Sequence, residues 1–437
     1  MKVFLQTLGC DKNRVDSEMI LGVCKNLGIM PVADPKEADL LCVNTCAFIE
    51  SAREEAINTI LDIIDYKTGN KKLIVFGCLA QRYKDELIEQ LPEVDRFVQI
   101  KDYIHLSDVI CEVLNINANT DVCMNFADRV YDASLPYTRY VRISDGCLNR
   151  CAFCAIPLIR GRLKSRTIDD IINECKVHIK DGVKELCIVS QDTTNYGFDL
   201  ERRLMLTDLL KEICALDGDF KVRLFYLYPE IVTDELIDFI KNEPKMMKYF
   251  DIPIQHSEDK ILKLMRRRSN KQMILDLLHK IRREIPDACI RTTIMVGFPS
   301  ETEEDIHNLC EFIKDVKFDK LGCFTFSPEE GTEAYKMPQE ISEEEKMRRY
   351  NFVMDTQYDI SLSQNKSHLG EIEEVLIEGY DPDNFMYYGR SYQFAPEDID
   401  GCVYVACHSE KQIGDIVRAK VMDCDAYTLT CEEYEED

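Results

Sequence analysis

Three cysteines in the stretch Gly146-Cys147-Leu148-Asn149-Arg150-Cys151-Ala152-Phe153-Cys154 stand at the spacing C-x3-C-x2-C. Thiolates are the usual ligands of an iron–sulfur cluster, and four are normally supplied. A cluster held by three keeps one iron open to another molecule. When that molecule is S-adenosylmethionine (SAM), an electron from the cluster can break its sulfonium carbon–sulfur bond. The radical released is able to take hydrogen from unactivated carbon. The chain carries 20 cysteines in 437 residues, so spacing alone is a weak signal. Context strengthens it: Tyr140-Val141-Arg142-Ile143-Ser144 reads as a strand running straight into this loop, and Thr167 to Lys180 reads as a helix after it.

A second set of cysteines lies nearer the amino terminus. Val3 to Gln6, Leu40 to Asn44 and Leu73 to Phe76 are short β-type runs, and Asp16 to Asn26, Ser51 to Tyr66 and Lys84 to Gln90 are helix-like. Such alternation predicts a parallel sheet covered by helices, whose ligands gather beyond the carboxyl ends of the strands. Cys10, Cys46 and Cys78 all fall there, a few residues after a strand. They could ligate a second cluster or be reactive or ordinary thiols. Cys42, inside Leu40-Leu41-Cys42-Val43, reads as a buried core thiol.

The rest of the chain supplies positioning elements. Periodicity stops around Asn119 to Pro136 and then resumes for six rounds, with strands near Tyr140–Ser144, Leu186–Ser190, Val222–Tyr226, Tyr249–Ile254, Ile290–Val296 and Gly322–Phe326. Six βα units make a partial TIM-type barrel, whose chemistry belongs at the C-terminal strand ends. The three-cysteine loop follows the first of them. Ile341 to Lys346 open a long polar helix with Glu343-Glu344-Glu345 in its first turn. From Glu371 the pattern shifts to short β-type runs, Glu374–Ile377, Gly401–Ala406, Asp415–Met422 and Tyr427–Cys431, which predict a small β-barrel. The expected division is an α/β domain over 1–118, a linker over 119–136, a (βα)6 partial barrel over 137–340, a bridging helix over 341–368 and a small antiparallel β-barrel over 369–437.

Composition narrows the functional classes. No apolar stretch reaches the length of a signal sequence or membrane span, which points to a cytoplasmic protein with no membrane role. There, so many cysteines are unlike a disulfide framework. The net charge of −26 argues against a chain that wraps nucleic acid unaided. Between Glu371 and Asp437 stand 18 Asp or Glu against four Lys or Arg, a face suited to a basic partner.

With these residues in view, the chain resembles the radical-SAM methylthiotransferases, and within them the branch that modifies an aspartate of a ribosomal protein. The motifs are Leu8-Gly9-Cys10-Asp11-Lys12-Asn13-Arg14-Val15-Asp16-Ser17-Glu18, Val43-Asn44-Thr45-Cys46-Ala47-Phe48-Ile49, Gly77-Cys78-Leu79-Ala80-Gln81-Arg82-Tyr83, and the Cys147 loop continuing through Ala155-Ile156-Pro157 to Arg160-Gly161. The resemblance spans essentially the whole chain and implies a carboxyl-terminal TRAM domain. It implies two 4Fe–4S clusters, one on Cys10, Cys46 and Cys78 and one on Cys147, Cys151 and Cys154. It also implies two uses of SAM, as methyl donor to sulfur and as source of a deoxyadenosyl radical. A low-potential electron donor such as flavodoxin or ferredoxin, and a sulfur donor, are then required.

The implied substrate is the small-subunit ribosomal protein S-twelve. Two close alternatives are a transfer-RNA adenosine methylthiotransferase and, from another class, a non-catalytic iron–sulfur carrier or scaffold. Asp11-Lys12 after Cys10 favours the protein-modifying branch, because RNA-acting relatives usually carry Gln and Met there. Tyr388-Gly389-Arg390-Ser391 and Ala395-Pro396-Glu397-Asp398-Ile399-Asp400-Gly401 also resemble that branch, with Gln393-Phe394 and Asp398 as departures. Radical-SAM relatives contact SAM from strand ends that correspond to Ser190-Gln191-Asp192 and Gly297-Phe298-Pro299, with Phe153 near adenine. His256 is expected to be a structural hydrogen-bonding residue, and Arg266-Arg267-Arg268 a solvated helix end.

Overall fold

The computed structural model describes residues 1–117, 122, 124–131 and 134–435. The linker expected over 119–136 therefore lies partly outside the described residues, as do the last two residues of the final segment.

Five parallel strands form the first sheet, in the order Met30–Pro31, Lys2–Thr7, Leu40–Thr45, Lys72–Gly77, Arg96–Val98. Every residue of the central Leu40–Thr45 strand is buried, as a parallel strand covered on both faces requires. Side chains alternate across the pleat. Leu41, Val43, Leu73 and Val75 meet Ala56, Ile60 and Ile63 of the Glu50–Ile64 helix, while Leu40, Cys42, Ile74 and Phe76 meet Ile20, Val23 and Cys24 of the Asp11–Asn26 helix. Cys42 is thus the core thiol that its apolar run predicts.

Six parallel strands follow in two groups of three. Lys221–Leu224, Glu185–Val189 and Thr138–Arg142 pair in that order, as do Tyr249–Asp251, Cys289–Val296 and Lys320–Thr325. A single parallel bridge between Val222 and Met246 joins the groups. The Glu343–Ser367 helix lies along the last strand, and its buried stripe is largely polar: Lys346, Arg349, Gln357, Ser361 and Asn365. Each polar group in this stripe needs a partner, because an unpaired buried one is costly. Lys346 donates to the Phe326 carbonyl at 3.0 Å, Arg349 to Glu301 at 2.8 Å, Gln357 to the Phe318 carbonyl at 2.8 Å, and Asn365 to the Asp425 carbonyl at 2.8 Å.

The carboxyl-terminal strands close into a five-stranded barrel, ordered Ile372–Asp381, Met386–Arg390, Cys402–Ala406, Thr428–Glu433, Ile416–Cys424. Four pairings are antiparallel, whereas Cys402–Ala406 and Thr428–Glu433 run parallel. The expected all-antiparallel arrangement is corrected at that one seam, because a long excursion through Ile416–Cys424 intervenes. Met386–Arg390 is a strand that turn-rich flanks hide in the sequence.

The motifs around Arg390 and Asp400 dock this barrel onto the six-stranded unit. Arg390 pairs with Glu185 at 2.7 Å and Glu378 at 2.8 Å, and Arg223 takes the other Glu185 oxygen at 2.5 Å. Asp400 accepts from Tyr249 at 2.6 Å and Arg291 at 2.9 Å. The departures from the family pattern are absorbed locally. Phe394 is fully buried under the Lys320 ammonium, and Gln393 donates to Glu373 at 2.9 Å.

Burial alone would raise the Glu185 pKa, but Arg223 and Arg390 overcome it and hold the carboxyl at about 2, below its ordinary 4.5. A carboxylate with a depressed folded pKa stabilises fully above its unfolded pKa and loses that contribution as pH falls through the folded value. Glu185→Gln leaves two buried guanidiniums short of a charge and is expected to lower the unfolding free energy by about 3–5 kcal/mol. Denaturant titration at neutral pH checks this. The same variant should lose less stability than the parent between about pH 4.5 and pH 2.

Candidate active site

The amino-terminal cysteines sit where strands hand over to helices. Cys10 caps the Asp11–Asn26 helix, and Cys78 is the first residue of the Cys78–Gln90 helix. Both helices start earlier than expected, the first because Asp11-Lys12-Asn13 is polar and the second because a kink at Tyr83 breaks its periodicity. Helix amino termini favour a thiolate. Cys10 is exposed, while Cys46 and Cys78 are 8% and 7% exposed. Gly9 brings the first and second cysteines together: its φ is +90°, and an added Cβ would lie 2.7 Å from the Cys46 Cβ.

Asn13 ties this corner down. Its amide donates to the Leu8 and Thr45 carbonyls at 2.9 and 3.0 Å, and its Oδ1 lies 3.7 Å from the Cys78 sulfur. Burial pushes the Cys78 thiol up to about 12, with Arg160 pulling the other way and Cys46 and Cys10 adding to the rise. Burial also raises Cys46, against the backbone N–H groups of Phe48 and Ala47, with Cys10 adding to the rise. The three thiols are thus electrostatic neighbours.

The other triad occupies the loop after the Thr138–Arg142 strand. Gly146, at φ +71°, presses against the Arg162 and Gly161 carbonyls, where a Cβ would stand 2.3 and 2.7 Å away. Ala152 is strapped between Met265 and Ala334 by backbone hydrogen bonds of 2.9 and 2.8 Å. Asn149, inside the loop, donates to Asp192 at 2.6 Å. Cys147, Cys151 and Cys154 are half-buried. Burial raises Cys147 to about 11, with Asp192 adding to the rise, and raises Cys154 further, with Cys151 and Cys147 both adding to it.

Charge pairs connect the two corners. Arg160 donates to Asn13 at 2.9 Å and pairs with Asp16 at 2.7 Å and Asp145 at 3.3 Å. Arg142 takes the other oxygen of Asp16. Asp145 stands two residues before Cys147 and also accepts from Gln191 at 3.0 Å. Burial opposes its charge, yet Arg160 and Arg142 hold its carboxyl below the usual range. One chain of contacts therefore runs from Cys78 through Asn13, Arg160 and Asp145 to the Cys147 loop. All six cysteines are free thiols, and two sets of soft sulfur donors fit iron–sulfur clusters.

The remaining expected residues separate. Phe153 packs edge-on against Phe298, with ring centroids 6.5 Å apart, beside the cysteines. Ser190 is fully buried and accepts the Asp192 N–H at 3.0 Å, so this turn supports the loop through Asn149. At Gly297, the N–H donates to Glu301 at 2.8 Å, and the Lys346 stem fills the space where a Cβ would be, so φ and packing by themselves require glycine there. His256 is buried, accepts the Glu258 N–H at 3.0 Å and faces Glu301 at 3.4 Å, the structural role expected.

In the Arg266–Arg268 run, Arg266 and Arg268 are exposed as a solvated helix end requires, but Arg267 is not. Arg267 is 9% exposed, donates to the Pro253 carbonyl at 2.7 Å and lies 3.8 Å over the Tyr228 ring. The Tyr228 hydroxyl is in turn 2.8 Å from the Cys151 sulfur. Tyr228 follows a strand end, which was the available signal. Lys12 and Tyr226 also meet at the interface, the ammonium 3.3 Å from the ring centroid.

Family comparisons divide the chain into three. Residues 2–99 match the uncharacterized protein family UPF0004, residues 141–313 the radical SAM superfamily, and residues 369–432 the TRAM domain. Curated relatives named ribosomal protein uS12 methylthiotransferase RimO are similar over their full length. That of Caldicellulosiruptor saccharolyticus is 42% identical, covering 99% of both chains, and that of Clostridioides difficile is 44% identical, covering 98% of both. Among solved structures, the radical SAM methyltransferase TsrM from Kitasatospora setae shares the fold with a TM-score of 0.54 at 13% identity, over 74% of this chain and 72% of that one. The cobalamin-dependent radical enzyme OxsB does so with 0.53 at 11%, over 82% and 57%.

Gly9→Ala forces a side chain into a left-handed backbone and against Cys46. It is expected to cost at least about 1–2 kcal/mol. Denaturant unfolding of the metal-free protein measures the cost, and faster alkylation of Cys46, read by peptide mass spectrometry, reports the displaced loop.

Proposed function

This chain belongs to the family of radical-SAM ribosomal protein uS12 methylthiotransferases, and from that membership we propose that it adds a methylthio group to the β-carbon of an aspartate in uS12, the S-twelve protein of the small subunit. Cys147, Cys151 and Cys154 hold one 4Fe–4S cluster, and Cys10, Cys46 and Cys78 hold a second. When bound, the clusters and SAM supply the reductive cleavage, hydrogen abstraction and methylthio chemistry. Electrons come from a low-potential donor such as flavodoxin or ferredoxin, and sulfur from a separate donor. The reaction belongs in the cytoplasm, and no helix among the described residues is long and apolar enough to cross a membrane.

The observation that carries this reading is the contact chain from Cys78 to the Cys147 loop through Asn13, Arg160 and Asp145. It brings both thiol sets to one interface, as a transfer between two centres requires. The protein's own groups then have distinct tasks. Gly146, Asn149 and Ala152 fix the loop that carries the three sulfurs. Tyr228 and Arg267 place a hydroxyl and a guanidinium at Cys151, and hydrogen bonds to cluster sulfurs are among the features that set reduction potentials. Phe153 and Gln191 line the approach for SAM, Phe153 offering a ring edge for adenine, and the buried Ser190 holds the turn that carries Gln191. Arg160 and Arg142 offset the negative charge that deprotonated thiols bring.

Substrate choice has its own support. Much of the acidic charge of the last barrel is exposed, including Glu374, Asp383, Asp415, Asp423 and Glu432. Such a surface repels phosphates and suits a basic ribosomal protein.

The test is mass spectrometry of uS12 after anaerobic incubation with cluster-reconstituted protein, SAM, sulfide and a low-potential reductant, with bulk transfer RNA in parallel. A methylthio gain on an aspartate is expected, and a gain on RNA alone overturns the substrate assignment. Cys147→Ala should abolish deoxyadenosine formation. Cys46→Ala should leave deoxyadenosine measurable while stopping methylthio transfer.

A further inference from the structure

Resting on that reading, we infer that Lys12 and Tyr226 form the pocket that holds the carboxylate of the target aspartate, with the Asp11 carboxylate as its resident occupant until substrate arrives. Lys12 and Asp11 begin the helix capped by Cys10, and Tyr226 follows the third strand of the six-stranded unit. The pocket is therefore built jointly by the two units that bear the cysteines.

One oxygen defines it. Asp11 Oδ1 lies 2.9 Å from the Lys12 ammonium and accepts from the Tyr226 hydroxyl at 3.3 Å. A carboxylate oxygen between an ammonium and a phenol is the arrangement a bound aspartate would reproduce. The Lys12 ammonium also rests on the face of the Tyr226 ring, 3.3 Å from its centroid. Both side chains of the Lys12–Asp11 pair are under 10% exposed.

The backbone invests strain here. Tyr226 has φ +58°, a conformation disfavoured for a side chain of this size. It persists because its N–H donates to Asp251 at 3.0 Å, Asp251 is held by Arg291 at 3.0 Å, and the Tyr226 carbonyl accepts from Thr193 at 3.2 Å. That bracing turns the ring toward Lys12.

Chemistry requires such a group. The β-carbon that reacts carries the carboxylate directly, so the carboxylate must enter the interface with it, and a buried charge needs a partner. The buried arginines near this junction are committed. Arg160 serves Asp16, Asp145 and Asn13, Arg142 serves Asp16, and Arg267 serves the Pro253 carbonyl and the Tyr228 ring. The carboxylate partner of Lys12 is its own neighbour, which a single side-chain rotation can remove.

The experiment measures equilibrium binding by titration calorimetry with reconstituted, unreduced protein, so that no turnover occurs. Titrants are uS12 and uS12 in which the aspartate located by mass spectrometry is changed to Asn. The parent protein should prefer the Asp form by about 10- to 100-fold. Lys12→Met should erase that preference while keeping affinity for the Asn form, Lys12→Arg should restore most of it, and Asp11→Asn should widen it by removing the competing carboxylate. A Lys12→Met protein that keeps the preference, or that loses both forms equally, overturns the pocket. Weaker binding by Asp11→Asn overturns the displacement. If the parallel assay shows methylthio groups on RNA and none on uS12, the functional reading fails and the pocket with it. Modified uS12 with an unchanged preference in Lys12→Met removes the pocket alone.

Discussion

Asp16 is shared by two arginines, and the rest of the arrangement depends on that sharing. It belongs to the first helix of the parallel-sheet unit, whereas Arg142 ends the first strand of the six-stranded unit and Arg160 lies beyond its cysteine loop. Removing any of these from water is tolerable only when all are paired. The pairing exists in one relative placement of the two units, so the geometry that neutralises the charges also ties the two cysteine-bearing corners together. Asp145 completes the balance, bringing a second carboxylate to Arg160 immediately before the Gly146–Cys147 turn.

Around this junction the fold follows the rule that ligand sites lie at the carboxyl ends of parallel strands. Both units obey it, and their strand ends meet. The closed barrel contributes from the opposite end. Arg390 reaches Glu185, the first residue of its strand, and Asp400 reaches Tyr249, also a first residue. It braces the amino ends of the strands and leaves the carboxyl ends to the site.

Much of this was legible in the sequence because strands rich in Val, Ile and Leu announce themselves. The six barrel strands, the central Leu40–Thr45 strand and the position of every motif cysteine after a strand follow from local pattern. What stayed hidden has a common cause: polar residues whose partners lie far along the chain. Arg267 reads as one of three solvated arginines until Tyr228 covers it. The helix from Asp11 is masked by Asp11-Lys12-Asn13-Arg14, which lacks apolar periodicity because the interface, not solvent, satisfies those groups. The Glu343–Ser367 helix presents a polar stripe to the barrel, so its register cannot be found by seeking an apolar face. The parallel seam of the last barrel depends on which strand closes it, information absent from any single segment.

Net charge misleads when it is averaged over the chain. At −26 the protein is acidic, yet the junction between its thiol sets concentrates Lys12, Arg142, Arg160 and Arg267, all buried or nearly so. Six thiols that lose protons on binding metal would place intense negative charge in a low-dielectric interface, where such charge is strongest. The buried cations meet that demand locally and are screened from solvent by the same packing. The acidic exterior is then free to serve a different purpose. Long-range attraction of a basic partner is governed by surface charge, whereas thiolate stability is governed by the few cations within contact distance. An acidic exterior around a junction where buried cations and carboxylates are paired separates the charge that acts at long range from the charge that acts at contact distance.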